Sequence, residues 1–257
     1  MADDAPVPHL DARNITVRFG GLVAVDDVSV HADPGEIVGV IGPNGAGKTT
    51  LFGAIAGSVR PEQGTVHLDG RDVTAWPSHR RARAGLGRTF QRLEVFGSMT
   101  VHENLAYATE AGALGARPAR LLQRSRHRRL DLVEEVLDQL GLNDLATERA
   151  ADLPPGVARL IELGRALCGR PTMLLLDEPS SGLDVGETAA LAAQIVRAVQ
   201  RGGLSVVLIE HDMTMVLGIC ARLYVLDFGV CIAEGPTAAV AQMPVVREAY
   251  LGTHHAG

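Results

Sequence analysis

The nine residues Gly42-Pro43-Asn44-Gly45-Ala46-Gly47-Lys48-Thr49-Thr50 fit the pattern GxxxxGK[ST], and their types suit one task, holding a chain of phosphates. Glycines let a backbone wrap an anion without Cβ clashes. Successive N–H groups then form a nest for it, and a helix that starts there adds about half a positive charge. Lys48 would bring a mobile ammonium to the outer phosphates, and Thr49 a hydroxyl to a magnesium ion. Lys48 is also the only lysine among 24 basic residues; the rest are arginine.

A second group of chemically capable residues lies far along the chain. Met173-Leu174-Leu175-Leu176-Asp177-Glu178-Pro179 ends an apolar run on two adjacent acids. Asp177 could reach a magnesium ion directly or through water, and Glu178 could polarise an attacking water as general base. Adjacent side chains at a strand end point opposite ways, so one carboxylate would face the metal and the other the nucleophile. An acidic helix N-terminus is the plainer alternative for such a pair. His211, in Ile209-Glu210-His211-Asp212, follows another apolar run in the same manner.

These groups need strands and helices to position them. Glu36–Ile41, Met173–Leu176 and Leu204–Ile209 are short and almost wholly apolar, as strands buried on both faces of a parallel sheet are. A helix is expected after each: about Gly47–Ala56, Val185–Gln200 and Met213–Ile219. Ligands of such sheets collect at the C-terminal strand ends, where the phosphate loop and both acidic groups fall. From about Leu10 to Val30 the pattern alternates around Gly20-Gly21 and reads as a hairpin. Thr65–Leu68 reads as a strand closed by Asp69-Gly70, and Leu223–Leu226 and Val230–Ala233 as two more. Between them, Val101 to about Leu145 is helical: Val133, Val136, Leu137 and Leu140 follow the i, i+3, i+4, i+7 rule. Gly141 signals a helix end and Asn143 and Asp144 a helix start. The strand–helix alternation resumes at about Leu160, with a helix reaching Cys168. Together these describe an α/β domain with a mainly parallel sheet and a helical insertion.

Composition narrows the classes. The chain has 257 residues, is 46% hydrophobic and carries a net charge of −6. That balance belongs to an ordinary globular protein. It argues against a protein that holds nucleic acid by phosphate neutralisation, and 4% aromatics leave little for base stacking. Cys168, Cys220 and Cys231 are widely spaced among apolar neighbours and read as reduced core thiols of a cytosolic protein. The nine histidines show no zinc-site spacing. The N-terminus lacks a signal-peptide pattern, and no apolar run approaches the roughly 20 residues of a membrane span. Membrane contact would therefore come through a partner. The run Arg117, Arg120, Arg124, Arg126, Arg128, Arg129 reads first as a solvated helix face and second as a contact for lipid headgroups or a permease loop.

The order and spacing of the phosphate loop, Gln91, Asp177-Glu178, Ser181-Gly182-Leu183-Asp184 and His211 resemble those of an ATP-binding-cassette (ABC) ATPase over about Leu10 to Gly252. More narrowly, Phe19-Gly20-Gly21-Leu22-Val23-Ala24-Val25, the long insertion from 92 to 153 and the ending Ala249-Tyr250-Leu251-Gly252 resemble the ATPase subunit of a branched-chain (hydrophobic) amino-acid importer. The resemblance implies an α/β P-loop NTPase (RecA-like) core with an N-terminal antiparallel β subdomain and an inserted α-helical subdomain. A single domain over 8–252 is expected: core and β subdomain at about 8–91 and 160–235, helices at about 92–159, and a tail at 236–257. It also implies ATP and Mg²⁺ as ligands. Phe19 would stack on adenine, or be a buried strand aromatic. Gln91 would sense Mg²⁺ and the attacking water, His211 would donate to the γ-phosphate, and Asp184 would lie at a dimer interface.

The family's LSGGQ signature, offered in trans to the partner's γ-phosphate, is here Leu153-Pro154-Pro155-Gly156-Val157. Pro154 supplies neither hydroxyl nor N–H, and one lost hydrogen bond to a charged group costs about 1.5–3 kcal/mol. An asymmetric pair of ATP sites is the expectation. The implied partners are a second ABC ATPase subunit (another chain or a copy of this one), transmembrane permease subunits and, indirectly, an extracytoplasmic substrate-binding protein. Nucleic acid is not among them. The implied place is the cytoplasmic face of the membrane. An ABC ATPase for lipid or lipopolysaccharide export is the nearest alternative; one acting on DNA or ribosomes is more remote.

Overall fold

The computed structural model describes residues 7–89, 93–111 and 119–246. Its strands are β1 (Leu10–Phe19), β2 (Leu22–Ala32), β3 (Ile37–Ile41), β4 (Gln63–Leu68), β5 (Arg71–Asp72), β6 (Leu86–Arg88), β7 (Met173–Asp177), β8 (Ser205–Ile209), β9 (Arg222–Asp227) and β10 (Val230–Pro236). Its α-helices are α1 (Lys48–Ala56), α2 (Ser78–Arg83), α3 (Val101–Ala111), α4 (Ala119–Leu140), α5 (Pro155–Leu167), α6 (Val185–Gln200), α7 (Met213–Ile219) and α8 (Thr237–Val240).

Two sheets result. One is antiparallel, in the order β2-β1-β4-β5; the other runs β10-β9-β3-β8-β7-β6 and is parallel except for the antiparallel β9–β10 edge. The apolar runs are explained by where their side chains go. In β7, Leu174 and Leu176 enter one core while Met173 and Leu175 enter another; in β8, Val206 and Leu208 part from Val207 and Ile209 in the same way. A strand's period of two thus serves two cores at once, so every position must be apolar. One core lies under α3–α7. The other is sealed by the antiparallel sheet and by α1, whose Leu51, Phe52, Ala54 and Ile55 are all fully buried.

The expected strands and helices are present, with three differences. The structure adds β5, β6, α2 and α8, each too short to show a period. The helix that starts at Asn143 is a single 3₁₀ turn, Asn143–Leu145, and not an α-helix. The helix expected to reach Cys168 begins at Pro155 and so crosses the expected subdomain boundary at 159/160. Proline at its first position costs it nothing, because that N–H has no intrahelical partner. Gly164 lets α5 close on α4: a Cβ there would sit 2.9 Å from Leu140 Cδ1. No helix among the described residues is long and apolar enough to cross a membrane.

Candidate nucleotide site

The loop from Gly42 to Gly47 joins fully buried β3 to the first turn of α1. Its bends require glycine. Gly42 and Gly47 have φ of 156° and 98°, and a Cβ would lie 2.2 Å from Leu226 O or 2.3 Å from Ala24 O. Gly45 also has positive φ but faces open space, the hollow of the cradle. Lys48 is 5% exposed. Its ammonium donates to Gly42 O at 2.6 Å and Pro43 O at 2.9 Å, leaving one of three N–H donors uncommitted. Burial lowers its pKa, opposed by the charges of Glu178 and Asp177.

A cavity of about 470 Å³ opens over this loop. Asn44 to Thr50 form its floor, and Glu178 lies on its edge. Two aromatics wall it: Phe19 at the end of β1, and Phe228 in the β9–β10 turn. They are 53% and 88% exposed. Phe19 therefore stands at the cavity mouth, and the buried-aromatic alternative is set aside. Phe228 has no counterpart in the sequence reading. Its turn is held to the phosphate loop by the Gly229 N–H, which donates to Ala46 O at 3.1 Å, and to β2 by the Gly229 carbonyl, which accepts from Asp26 N at 2.8 Å.

The acids come off neighbouring strands. Asp177 ends β7 with 3% exposure and accepts from Arg88 of β6 at 3.2 Å. Burial raises its pKa, against the opposing pull of Arg88. Glu178 lies beyond the strand with φ of 49°, its N–H on Ile209 O at 2.9 Å. This left-handed backbone, and not the expected strand alternation, separates the two carboxylates. It brings Glu178 Oε1 to 3.0 Å from His211 Nε2. Glu210, given no role by the sequence reading, orders both loops. Its buried carboxylate accepts from Ser180 N at 2.7 Å, His211 N at 3.0 Å and Asp212 N at 3.3 Å.

The other expected site residues gather elsewhere on the surface. Asp184 caps α6, accepting from Glu187 N at 2.8 Å while Glu187 Oε2 accepts from Asp184 N at 3.1 Å, a reciprocal capping box. Glu187 Oε1 also accepts from Gly156 N at 3.1 Å. Arg159 joins α5 to the same loop, pairing with Glu162 at 2.9 Å and donating to Ser181 O at 3.3 Å. Pro154 and Pro155 are exposed at the start of α5. Gln91 and the ending 249–252 lie outside the described residues. So does Arg117; the other five arginines of that run fall on α4.

A strand–loop–helix cradle, one buried lysine and a carboxylate–imidazole pair at the same sheet edge are the parts of a nucleotide-hydrolysing site. A family model described as ABC transporter matches residues 25–181. The chain belongs to the ABC transporter family. As an ABC ATPase it binds and hydrolyses ATP. A second model, described as branched-chain amino acid ATP-binding cassette transporter, matches residues 230–256. Among curated relatives, the high-affinity branched-chain amino acid transport ATP-binding protein LivG of Escherichia coli K12 is 38% identical over 250 residues, 95% of this chain and 98% of that protein. BraF of Pseudomonas aeruginosa, with the same description, is 36% identical over 252 residues, 95% and 98% of the two chains. The lipopolysaccharide export system ATP-binding protein LptB of Acidithiobacillus ferridurans is 36% identical over 243 residues, 95% and 96%. Among solved structures, a nucleotide-free ATP-binding cassette from an ABC transporter superposes with a TM-score of 0.83 at 31% identity, covering 95% of this chain and 98% of the other.

The donor set suits magnesium only together with a nucleotide. Thr49 offers a hydroxyl at the cavity and Asp177 one buried acid nearby. Among the described residues no group of three or more His, Cys, Asp or Glu could hold an ion. Mg²⁺ commonly binds through one or two protein oxygens plus phosphates and waters, and the Thr49 hydroxyl and the Asp177 carboxylate are donors of that kind.

Proposed function

We propose that this ABC ATPase powers uptake of branched-chain or hydrophobic amino acids through transmembrane permease subunits. It would work as one cassette over 8–252, at the cytoplasmic face of the membrane and paired with a second ATPase subunit. The observation that carries the cargo is the match of residues 230–256 to the branched-chain amino acid cassette model. Overall identity does not separate uptake from export, since LptB stands as near as BraF.

In this reading the backbone of 42–47 and Lys48 hold the β- and γ-phosphates, and Phe19 and Phe228 hold the adenine. Bound magnesium supplies charge neutralisation at the phosphates; Thr49 and Asp177 would hold it, with Gln91. Glu178 orients the attacking water and accepts its proton, and His211, which lies beside that carboxylate, donates to the γ-phosphate. Pro154, Pro155, Gly156 and Asp184 face the partner subunit.

Two measurements test this. Glu178→Gln should still bind ATP while phosphate release falls by about 10²–10⁴-fold, the usual worth of general-base catalysis; undiminished release removes Glu178 from the role. The complex with its permease subunits, reconstituted in vesicles, should hydrolyse ATP faster when leucine, isoleucine or valine is presented on its binding protein. Stimulation by lipopolysaccharide and not by these amino acids would assign the motor to export.

A further inference from the structure

At the far end of α1 from the phosphate loop lies a basic hollow that the ATPase chemistry leaves unused. Trp76, the chain's single tryptophan, stands half-buried between β5 and α2. The guanidinium carbons of Arg71 and Arg80 each lie 4.4 Å from its ring centre. Arg83 joins them in lining a cavity of about 270 Å³. No residue is shared with the lining of the nucleotide cavity, and the nine residues of α1 separate the two by about 13 Å of helix.

The scaffold of this hollow is fixed. Arg81, between Arg80 and Arg83, turns the opposite way and is 1% exposed. It donates to Ala54 O at 2.7 Å, Ile55 O, Thr74 O at 2.9 Å and Trp76 O at 3.0 Å. One buried guanidinium thus ties α2 and the Trp76 backbone to the end of α1. Its three neighbours have no such partners: the side chains of Arg71, Arg80 and Arg83 make no hydrogen bond or ion pair among the described residues. Asp72, the adjacent acid, accepts from Thr74 N at 2.8 Å.

Two guanidiniums against one indole stand within about one Debye length of each other (~8–10 Å) and repel without a counter-charge. An arginine stacked on an aromatic face keeps its N–H fork free at the edge, a geometry that grips phosphate oxygens in pairs. Arg80 and Arg83 also favour the C-terminus of α2, but in a six-residue helix that effect is small. It needs neither a hollow nor an indole.

We propose that the hollow of Arg71, Trp76, Arg80 and Arg83 is a second anion site of this protein, for a phosphate-bearing ligand. The phosphate is that of an anionic lipid headgroup or of a soluble phosphoryl compound. The site does not depend on the transport reading.

Trp76 reports on it directly. Indole fluorescence of the full chain is followed during titration with vesicles of phosphatidylcholine alone, vesicles of equal parts phosphatidylcholine and phosphatidylglycerol, inorganic pyrophosphate, and glutamate at matched ionic strength. A saturable change with the phosphatidylglycerol vesicles alone assigns the lipid source; one with pyrophosphate assigns the soluble source. In either case the double variant Arg80→Gln/Arg83→Gln should bind at least about tenfold more weakly, with basal ATP hydrolysis within twofold of wild type. Arg83→Lys should fall between the two. The proposal is overturned if neither phosphate source gives a change, if glutamate matches them, or if the double variant responds like wild type.

Discussion

The carboxylate of Glu187 reaches across to the first turn of α5 and accepts the backbone N–H of Gly156 at 3.1 Å. The contact explains how this helix tolerates its opening. Pro154 and Pro155 bring no N–H to the first turn, and no side chain at Pro154 caps it; an acid 31 positions away does so instead, where the helix field favours negative charge. A Cβ on Gly156 would lie 2.7 Å from Glu187 Oε1 and 2.9 Å from its Cδ.

Gly156→Ala should therefore expel Glu187 and destabilise the protein by about 1–2 kcal/mol, the scale of a lost cap. Glu187→Ala should cost a similar amount, and the double variant little more than either alone, because both remove one interaction. Urea unfolding of the four proteins measures it. Full additivity would show that the two residues are not coupled.

Lys48, as the chain's one ε-amine, can be titrated chemically. Trace acetylation followed by mass spectrometry should give a midpoint below 10.5, the ordinary lysine value, because burial disfavours its charged form. The sign for stability follows. Between the lowered folded pKa and 10.5 the unfolded chain binds more protons, so this residue's contribution rises with pH across that window. A midpoint at or above 10.5 would mean that Glu178 and Asp177 outweigh burial.

The two aromatics at the cavity mouth should each matter for affinity. Phe19→Ala and Phe228→Ala should each weaken ATP binding by about 1–3 kcal/mol, the range for a stacked base. Triphosphate alone should bind as before. Calorimetric titration distinguishes the two; equal losses for ATP and triphosphate would assign both rings to shaping the loop.

Two thiols should be inert in the native protein. Burial pushes Cys168 and Cys220 up to about 12, so neither offers thiolate to a disulfide reagent at neutral pH. All three cysteines should react in denaturant. Fast labelling of Cys168 or Cys220 in the folded chain would contradict their burial.

What the sequence revealed of the site follows from distance along the chain. The cradle is local: strand, glycine turn, lysine and helix are consecutive, so residue types alone specify it. Asp177-Glu178 and His211 are legible because each follows a run that only a doubly covered strand would carry. Phe228 is not legible, since an aromatic in a hairpin turn has meaning only once Gly229 is bonded to Ala46 and Asp26. Nor is Glu187, whose partner depends on how α5 and α6 pack. The strand β6 is three residues long, too short for any period, although it carries Arg88 to Asp177. The left-handed turn at Glu178 shows the remaining limit: residue types place the acids at a strand end, but the separation of the acids comes from backbone conformation, which residue types do not disclose.

The nucleotide cavity is shared between layers that pack on each other through a common apolar core and a few hydrogen bonds such as Asp26 N to Gly229 O. Phe19 belongs to the antiparallel sheet, Lys48 and Glu178 to the centre of the parallel one, and Phe228 to its outer edge. An occupant touching all of them acts as a rivet through the two layers. Filling and emptying the site would then alternately stiffen and loosen their alignment, giving the molecule a mechanical readout of its fuel at the β1–β2 hairpin, away from the bond being broken.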